Sequence, residues 1–545
     1  MKKLLLTLLA AAVTLAAAAG GISSAAELAA FAEAVNAGGD IAAWQDERGE
    51  VHLKADIDMS GIKRFARIGN FEGVFDGEGH AILNWKTDGG LFRLVAEGSV
   101  VRNLVIAESC SMKVSDDGDD ALYAGFVADV NHGILERCEN YGSIAHRSAR
   151  SLHDNYVGGV CGMNKYVVIR CKNGGDISSA GSCPSLAPTA EPRMYLGGVL
   201  GGSLGRSLPG AFVAWCENTG RVGYSGAFIV SHIGGIVGYN MRVKTKFCIN
   251  RGEIVSAARG VEEGSDRYCQ EMAGGICGMA KGDVMCCDNF GSVTTRGHAY
   301  SLTAGICGSA HESLTVGDCD NFAPVTSTST YQASVGGIVG LSGRPVVVSH
   351  CRNKGDVSCG LGENTRNSAR GIQAAGIVGF INGNEAVSAD VRDCVNTGRV
   401  RSESGRAGGI CGFASYCDFA GNENLGSVEG AGRCWAASSR RSKTVPSGDA
   451  PTGATCSPDR KVRRAASPRR RGTAGTPASN PAATAAWSRV CSDWPGRSSA
   501  KAAPRATVSR RAASAEAWAR RRRAAMRLRR LRPKTSTSSS PGATS

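Results

Sequence analysis

Cysteine offers this chain its richest chemistry, and the spacing of the cysteines limits what that chemistry can be. Eighteen of the 21 precede residue 434. Eight of these (Cys138, Cys171, Cys216, Cys248, Cys287, Cys319, Cys351 and Cys394) hold one place in a recurring phrase, Cys-x-Asn-x-Gly-x-Ile/Val. Four more, Cys161, Cys277, Cys307 and Cys411, share a second place where other copies use Val or Leu. Exchange with Val and Leu is how small buried hydrophobes behave. Disulfides suit an exported chain, but each pair would need its own favourable geometry. Mostly reduced, buried thiols are therefore expected. Cys286-Cys287 makes no metal pair, since adjacent strand residues face opposite sides.

Other reactive patterns are thin. Zinc-peptidase chemistry needs two His one helical turn apart, with Glu beside the first. His311-Glu312 is followed by Ser-Leu-Thr and lacks the second His. No nucleophile elbow or P-loop is present. Ser115 to Asp120 carries oxygens that could meet Ca²⁺, but without the spacing of a calcium loop, and reads as a solvated acidic turn. Polysaccharide-cleaving enzymes pair their carboxylates. Here Glu191, Glu262, Glu263, Asp266 and Glu363 stand singly in longer connections. We assign no catalytic residue, metal or cofactor, and the expectation is a chain that is not an enzyme.

These residues sit in a repeat. A glycine phrase of the type Gly-Gly-Ile-x-Gly precedes the cysteine phrase, as in Gly234 to Gly238 followed by Cys248 to Ile254. Self-similarity at fixed spacing marks a solenoid, whose units bury their apolar faces against neighbours. Three short strands per repeat, such as 274–279, 284–287 and 291–294, predict an all-β, right-handed parallel β-helix of about nine 32-residue repeats,. Two smaller coils per repeat would also fit. The branched residues Val160, Val199, Ile236, Ile276, Ile306, Ile338, Ile377 and Ile410 should form an inward stack. Asn140, Asn173, Asn218, Asn250, Asn289, Asn321, Asn353 and Asn396 should form a structural amide ladder at a corner, where Asn tolerates the left-handed region. Upstream, 26–36 has helical spacing and suits a cap over the open end of the stack.

A glycine phrase, a turn and then Cys/Ser-x-Asn-x-Gly-x-Ile/Val resembles the GLUG repeat of bacterial surface proteins. These include adhesin-like proteins and the non-catalytic part of immunoglobulin A-cleaving metallopeptidases. The resemblance covers 124–428 and implies a surface-exposed β-solenoid without one defined activity. Ile or Val replaces the family's usual Leu, and Cys its common Ser.

The ends differ from the body. Lys2 and Lys3 precede an apolar run, 4–19, that gives way to small residues, as in an export leader,. We take 1–25 as that leader, 26–123 as cap and lead-in coils, 124–433 as repeats and 434–545 as a tail. The tail holds 25 Lys+Arg against 4 Asp+Glu, whereas residues 1–433 hold 38 against 44. It reads either as a disordered cationic tail or, preferably, as a gene read out of frame. Trp435 to Ser439, read two nucleotides on, can spell Gly-Gly-Ile-Leu, the phrase due there.

The expectation is a secreted or surface-displayed adhesin or structural binding module. A carbohydrate-active β-helix enzyme, or the stalk of a larger surface peptidase, are the alternatives. The partner expected is a host or cell-surface glycan or protein, with no specific nucleic acid and no membrane span after leader removal. Insertions at 178–195, 255–272 and 358–373 should line one edge of the solenoid, where repeat proteins bind. Arg193, Tyr195, Arg267, Tyr268 and Arg366 are the candidate contacts there.

Overall fold

The computed structural model describes residues 20–430 except 117–119, 149–150, 184–191, 206–209, 260–268, 298, 330–331, 344, 362–370 and 384–386, together with Cys434 and Trp435. The tail beyond Trp435 lies outside the described residues. Five parallel sheets of 10, 11, 12, 12 and 11 strands run along a β-solenoid, and each complete coil adds one strand to every sheet, the first two coils lacking a strand in sheet 1. In one coil the strands are Cys269–Gly274 (sheet 1), Cys277–Ala280 (sheet 2), Val284–Met285 (sheet 3), Asp288–Asn289 (sheet 4) and Val293–Thr295 (sheet 5). Pairing is in register from coil to coil, as in Cys277↔Cys307 and Asn289↔Asn321. Each repeat is therefore a single coil.

Five strands replace the three expected, for two local reasons. The segment 274–279 is broken by its own Gly-Gly-Ile turn, which points into the interior and folds sheet 2 back against sheet 1. The segment 284–287 is broken at Cys286, whose φ is 55°. The same left-handed corner recurs at Arg137, Arg170, Trp215, Phe247, Asp318, His350 and Asp393, with φ between 52° and 56°. L-residues reach this region at a steric cost, and Asn and Asp are the usual occupants. The corner thus falls on the residue before each phrase cysteine, not on the asparagine, which lies in extended sheet 4.

The branched column from Val160 to Ile410 is buried, each member at most 3% exposed, within one continuous core. The eight phrase cysteines line the same core, each at most 1% exposed. Seventeen cysteines are free thiols, all buried. Every phrase thiol donates to the carbonyl two residues back, from 3.2 Å (Cys319 to Gly317) to 3.7 Å (Cys138 to Glu136). The cysteines therefore act as weak corner donors as well as small apolar side chains.

Helix α1 (Ala25–Asn36) seals the first coil. Ser24 caps it, accepting from Glu27 N at 3.2 Å. Leu28, Phe31 and Ala32 are buried, and Phe31 meets Trp44, Phe71 and Phe75 at ring distances of 5.7 to 6.3 Å. Residues 20–25, the end of the span taken as leader, lie at or beside this cap. Ile22 is fully buried and bridges to Leu53.

Candidate functional site: a groove and a filled seam on the solenoid

Each glycine phrase carries the chain inward and back out, so the outer parts of sheets 1 and 2 face one another. Deep in, glycines allow the approach: a β-carbon on Gly238 would stand 2.7 Å from Leu196 N. Farther out the gap is filled by a second, smaller core of Tyr156, Met163, Tyr195 and Tyr239. The rings stack, Tyr123 on Tyr156 at 5.2 Å, Tyr156 on Tyr195 at 4.4 Å and Tyr195 on Tyr239 at 5.1 Å. The Tyr156 and Tyr195 hydroxyls each donate to Asp154 Oδ2 at 3.4 Å. Burial, with the nearby Asp154 carboxylate, pushes the Tyr195 hydroxyl well above its ordinary pKa.

This geometry settles where two of the candidate contacts lie. Tyr195 is 1% exposed and held in the stack. Arg193 is exposed, with its backbone N–H on Asp154 Oδ1 at 3.0 Å. Arg267, Tyr268 and Arg366 lie outside the described residues, as do Glu191, Glu262, Glu263, Asp266 and Glu363. The described strands that flank the three insertions belong to sheet 5 before each and sheet 1 after it.

A second edge carries a feature that sequence reasoning missed. Where sheet 2 passes to sheet 3, an open groove of about 640 Å³ is lined by Arg242, Lys244, Lys281, Asp283 and Glu312, over Val243, Leu314, Pro345 and Val387. Glu312 receives Arg242 Nε at 3.4 Å and Lys281 Nζ at 3.6 Å. Its φ of 73° turns the chain sharply here. Asp283 Oδ1 accepts Thr315 N at 3.1 Å. Val387, at the groove wall, is 53% exposed. The available signal was length: extra residues at 205–211 and 383–388 separate strands of sheet 2 from strands of sheet 3.

Acids and bases also converge on the outer face of sheet 3. Arg102 donates to Glu50 Oε2 at 2.6 Å and Asp76 Oδ2 at 2.5 Å, and Asn103 donates to Asp76 Oδ1 at 2.8 Å. Burial pushes the Asp76 carboxyl up, but these hydrogen bonds outweigh it and hold it below the usual carboxylate range. An acid held ionised does not donate the proton that glycoside cleavage needs. His311 meets Ser309 Oγ at 2.6 Å, and Asp116 is tied to Ser151 and Asn155. No cluster of three or more metal-ligating side chains exists among the described residues. No helix among them is long and apolar enough to cross a membrane.

No family model and no curated protein matches the chain. A solved structure from Bacteroides ovatus, described as a putative immunoglobulin A1 protease, is similar to it. The two are 15% identical, the match covers 68% of this chain and 76% of that one, and the TM-score is 0.23.

Proposed function

We propose that the chain is an exported, non-catalytic β-solenoid that binds a glycan or protein at a cell surface, with the groove between sheets 2 and 3 as its contact. The groove itself carries the reading. Three cations and two carboxylates stand around an apolar floor, the mixture that orients a polar ligand while burying its apolar parts,. Arg242 and Lys281 already share Glu312, so Lys244 is the cation best placed to meet a ligand's charge. The resemblance of the repeats to GLUG phrases supports display at a surface.

The carbohydrate-active alternative would centre on Glu50 and Asp76, both of which are engaged by the one cation Arg102. A panel of acidic and neutral polysaccharides, scored for binding and for released reducing ends, separates the two readings. Saturable binding without new ends, weakened at least tenfold by Lys244→Glu with Lys281→Glu, is expected. Release of reducing ends, abolished by Asp76→Asn, would sink the binding-module reading.

A further inference from the structure

We infer that a leader peptidase hydrolyses the Ala19–Gly20 peptide bond, making Gly20 the first residue of the folded chain. The inference rests on the reading of the first nineteen residues as an export leader. Sequence alone offers several small-residue cleavage points between Ala19 and Ala26,. The structure separates them by what each cut would remove.

Ile22 is fully buried beneath α1. Its N–H donates to His52 O at 2.8 Å, and its carbonyl accepts from Lys54 N at 2.8 Å. Ser23 N–H donates to Glu27 Oε2 at 2.6 Å while Ser24 Oγ accepts from Glu27 N, a reciprocal closure of the helix start,. A cut after Ser24 or Ala25 would delete this edge bridge and the cap together. The order reaches back to the two glycines. Gly20 has φ 57°, and a β-carbon on it would stand 3.1 Å from Gln45 O; one on Gly21 would stand 2.7 Å from Lys54 Cγ. Both places are fitted to glycine.

Immediately upstream, Ala17 and Ala19 put small side chains third and first before the Ala19–Gly20 bond, the pattern a leader peptidase accepts,. Water adds to the Ala19 carbonyl, the C–N bond breaks, and the Gly20 nitrogen leaves as the new α-amine. No other reactant is needed. The leader is thereby removed at the last bond that leaves the whole lid of the solenoid intact.

The test is intact mass and N-terminal sequencing of the full-length chain after export. Gly20 as first residue is the expected result, and Ala19→Arg should abolish processing. A first residue anywhere in 21–26 overturns the inference while leaving the leader reading intact. An uncleaved chain retained in the cell overturns both. A second measurement guards against a site chosen for the peptidase alone. Chains made directly from Gly20 and from Ala26 should differ at least tenfold in the rate of limited proteolysis of the first coil. Equal rates would show that residues 20–25 close nothing.

Discussion

Gly235 and Asn250 lie against each other in the interior: a β-carbon on Gly235 would stand 2.4 Å from Asn250 Cγ and 2.1 Å from Gly275 O. The same contact joins Gly159 to Asn173, Gly275 to Asn289 and Gly376 to Asn396. The two repeated phrases are thus halves of one contact, which is why they recur together. The neighbouring glycine position is tight in this coil too, where a β-carbon on Gly234 would stand 2.0 Å from Val237 O, but other coils adapt to a side chain there. Register aligns Gly274, Ala304, Gly336, Ala375 and Gly408, so alanine already occupies two of these places.

Gly235→Ala should therefore cost more than Gly234→Ala. Overpacking costs typically about 1–3 kcal/mol, and the backbone on one side and the amide ladder on the other leave Gly235 little relief. Urea midpoints of the two variants measure the difference. A Gly234→Ala chain that is the weaker of the two would refute the assignment of the contact.

The amide ladder makes its own prediction. Asn289 Nδ2 donates both to Gly291 O and to Asn321 Oδ1 at 2.8 Å, and its Oδ1 accepts from Asn250 Nδ2 at 2.8 Å. All three groups are buried, and Asn289→Asp replaces both donors with an acceptor. We expect a loss of about 3 kcal/mol or more, because two acceptors lose their donor and a carboxylate is buried. Asn289→Ala should lose less. Equal losses would mean that the amide hydrogens contribute nothing.

Repetition made some of this legible in sequence. Each coil places the same residue in the same surroundings, so the branched column and the asparagines declare themselves by recurrence. The left-handed corners do not, because Arg170, Trp215 and Phe247 carry none of the glycine or asparagine signal that such corners usually show,. The tyrosine seam was hidden for a different reason. Spacing tells which side of a strand a residue faces, but not that sheets 1 and 2 turn their outer parts toward each other. Tyr195 therefore looked like a loop-edge contact and proves to be buried.

Buried thiols should make the fold sensitive to alkali. Burial pushes Cys359 and Cys411 up to about 12, and it drives Cys248, Cys287 and Cys319 well above the ordinary thiol value. An unfolded thiol ionises near about 8.5. Below that pH both states hold the proton and the contribution is complete. Above it the unfolded state releases protons that the folded state keeps, so stability falls as pH rises from about 8.5 toward 12. Each such thiol removes about 1.4 kcal/mol per pH unit across its window. Urea midpoints under reductant should drop steeply between pH 8 and 10, while iodoacetamide leaves these thiols unmodified in the native chain. Flat midpoints, or ready native alkylation of Cys287, would contradict the burial.

His232 gives the opposite pH window. It stands between two apolar clusters, paired in register with Tyr195 on one side and Met272 on the other. Its Nδ1 is buried with no hydrogen-bond partner. Burial, aided by Arg193, His311 and Lys281, pushes its pKa down to about 3. Unfolded, it titrates near about 6.5. Its contribution is complete above about 6.5 and is lost as pH falls toward 3, because the unfolded chain takes up a proton that the native ring refuses. His232→Met would extend the apolar row from Tyr195 to Met272 and remove the unsatisfied nitrogen. The variant should gain about 1 kcal/mol at neutral pH, the scale of an unmade buried hydrogen bond. It should gain more at pH 5, where the wild-type histidine is already costing stability. A melting temperature lower than wild type at both pH values would show that the ring earns its place through packing that methionine cannot supply.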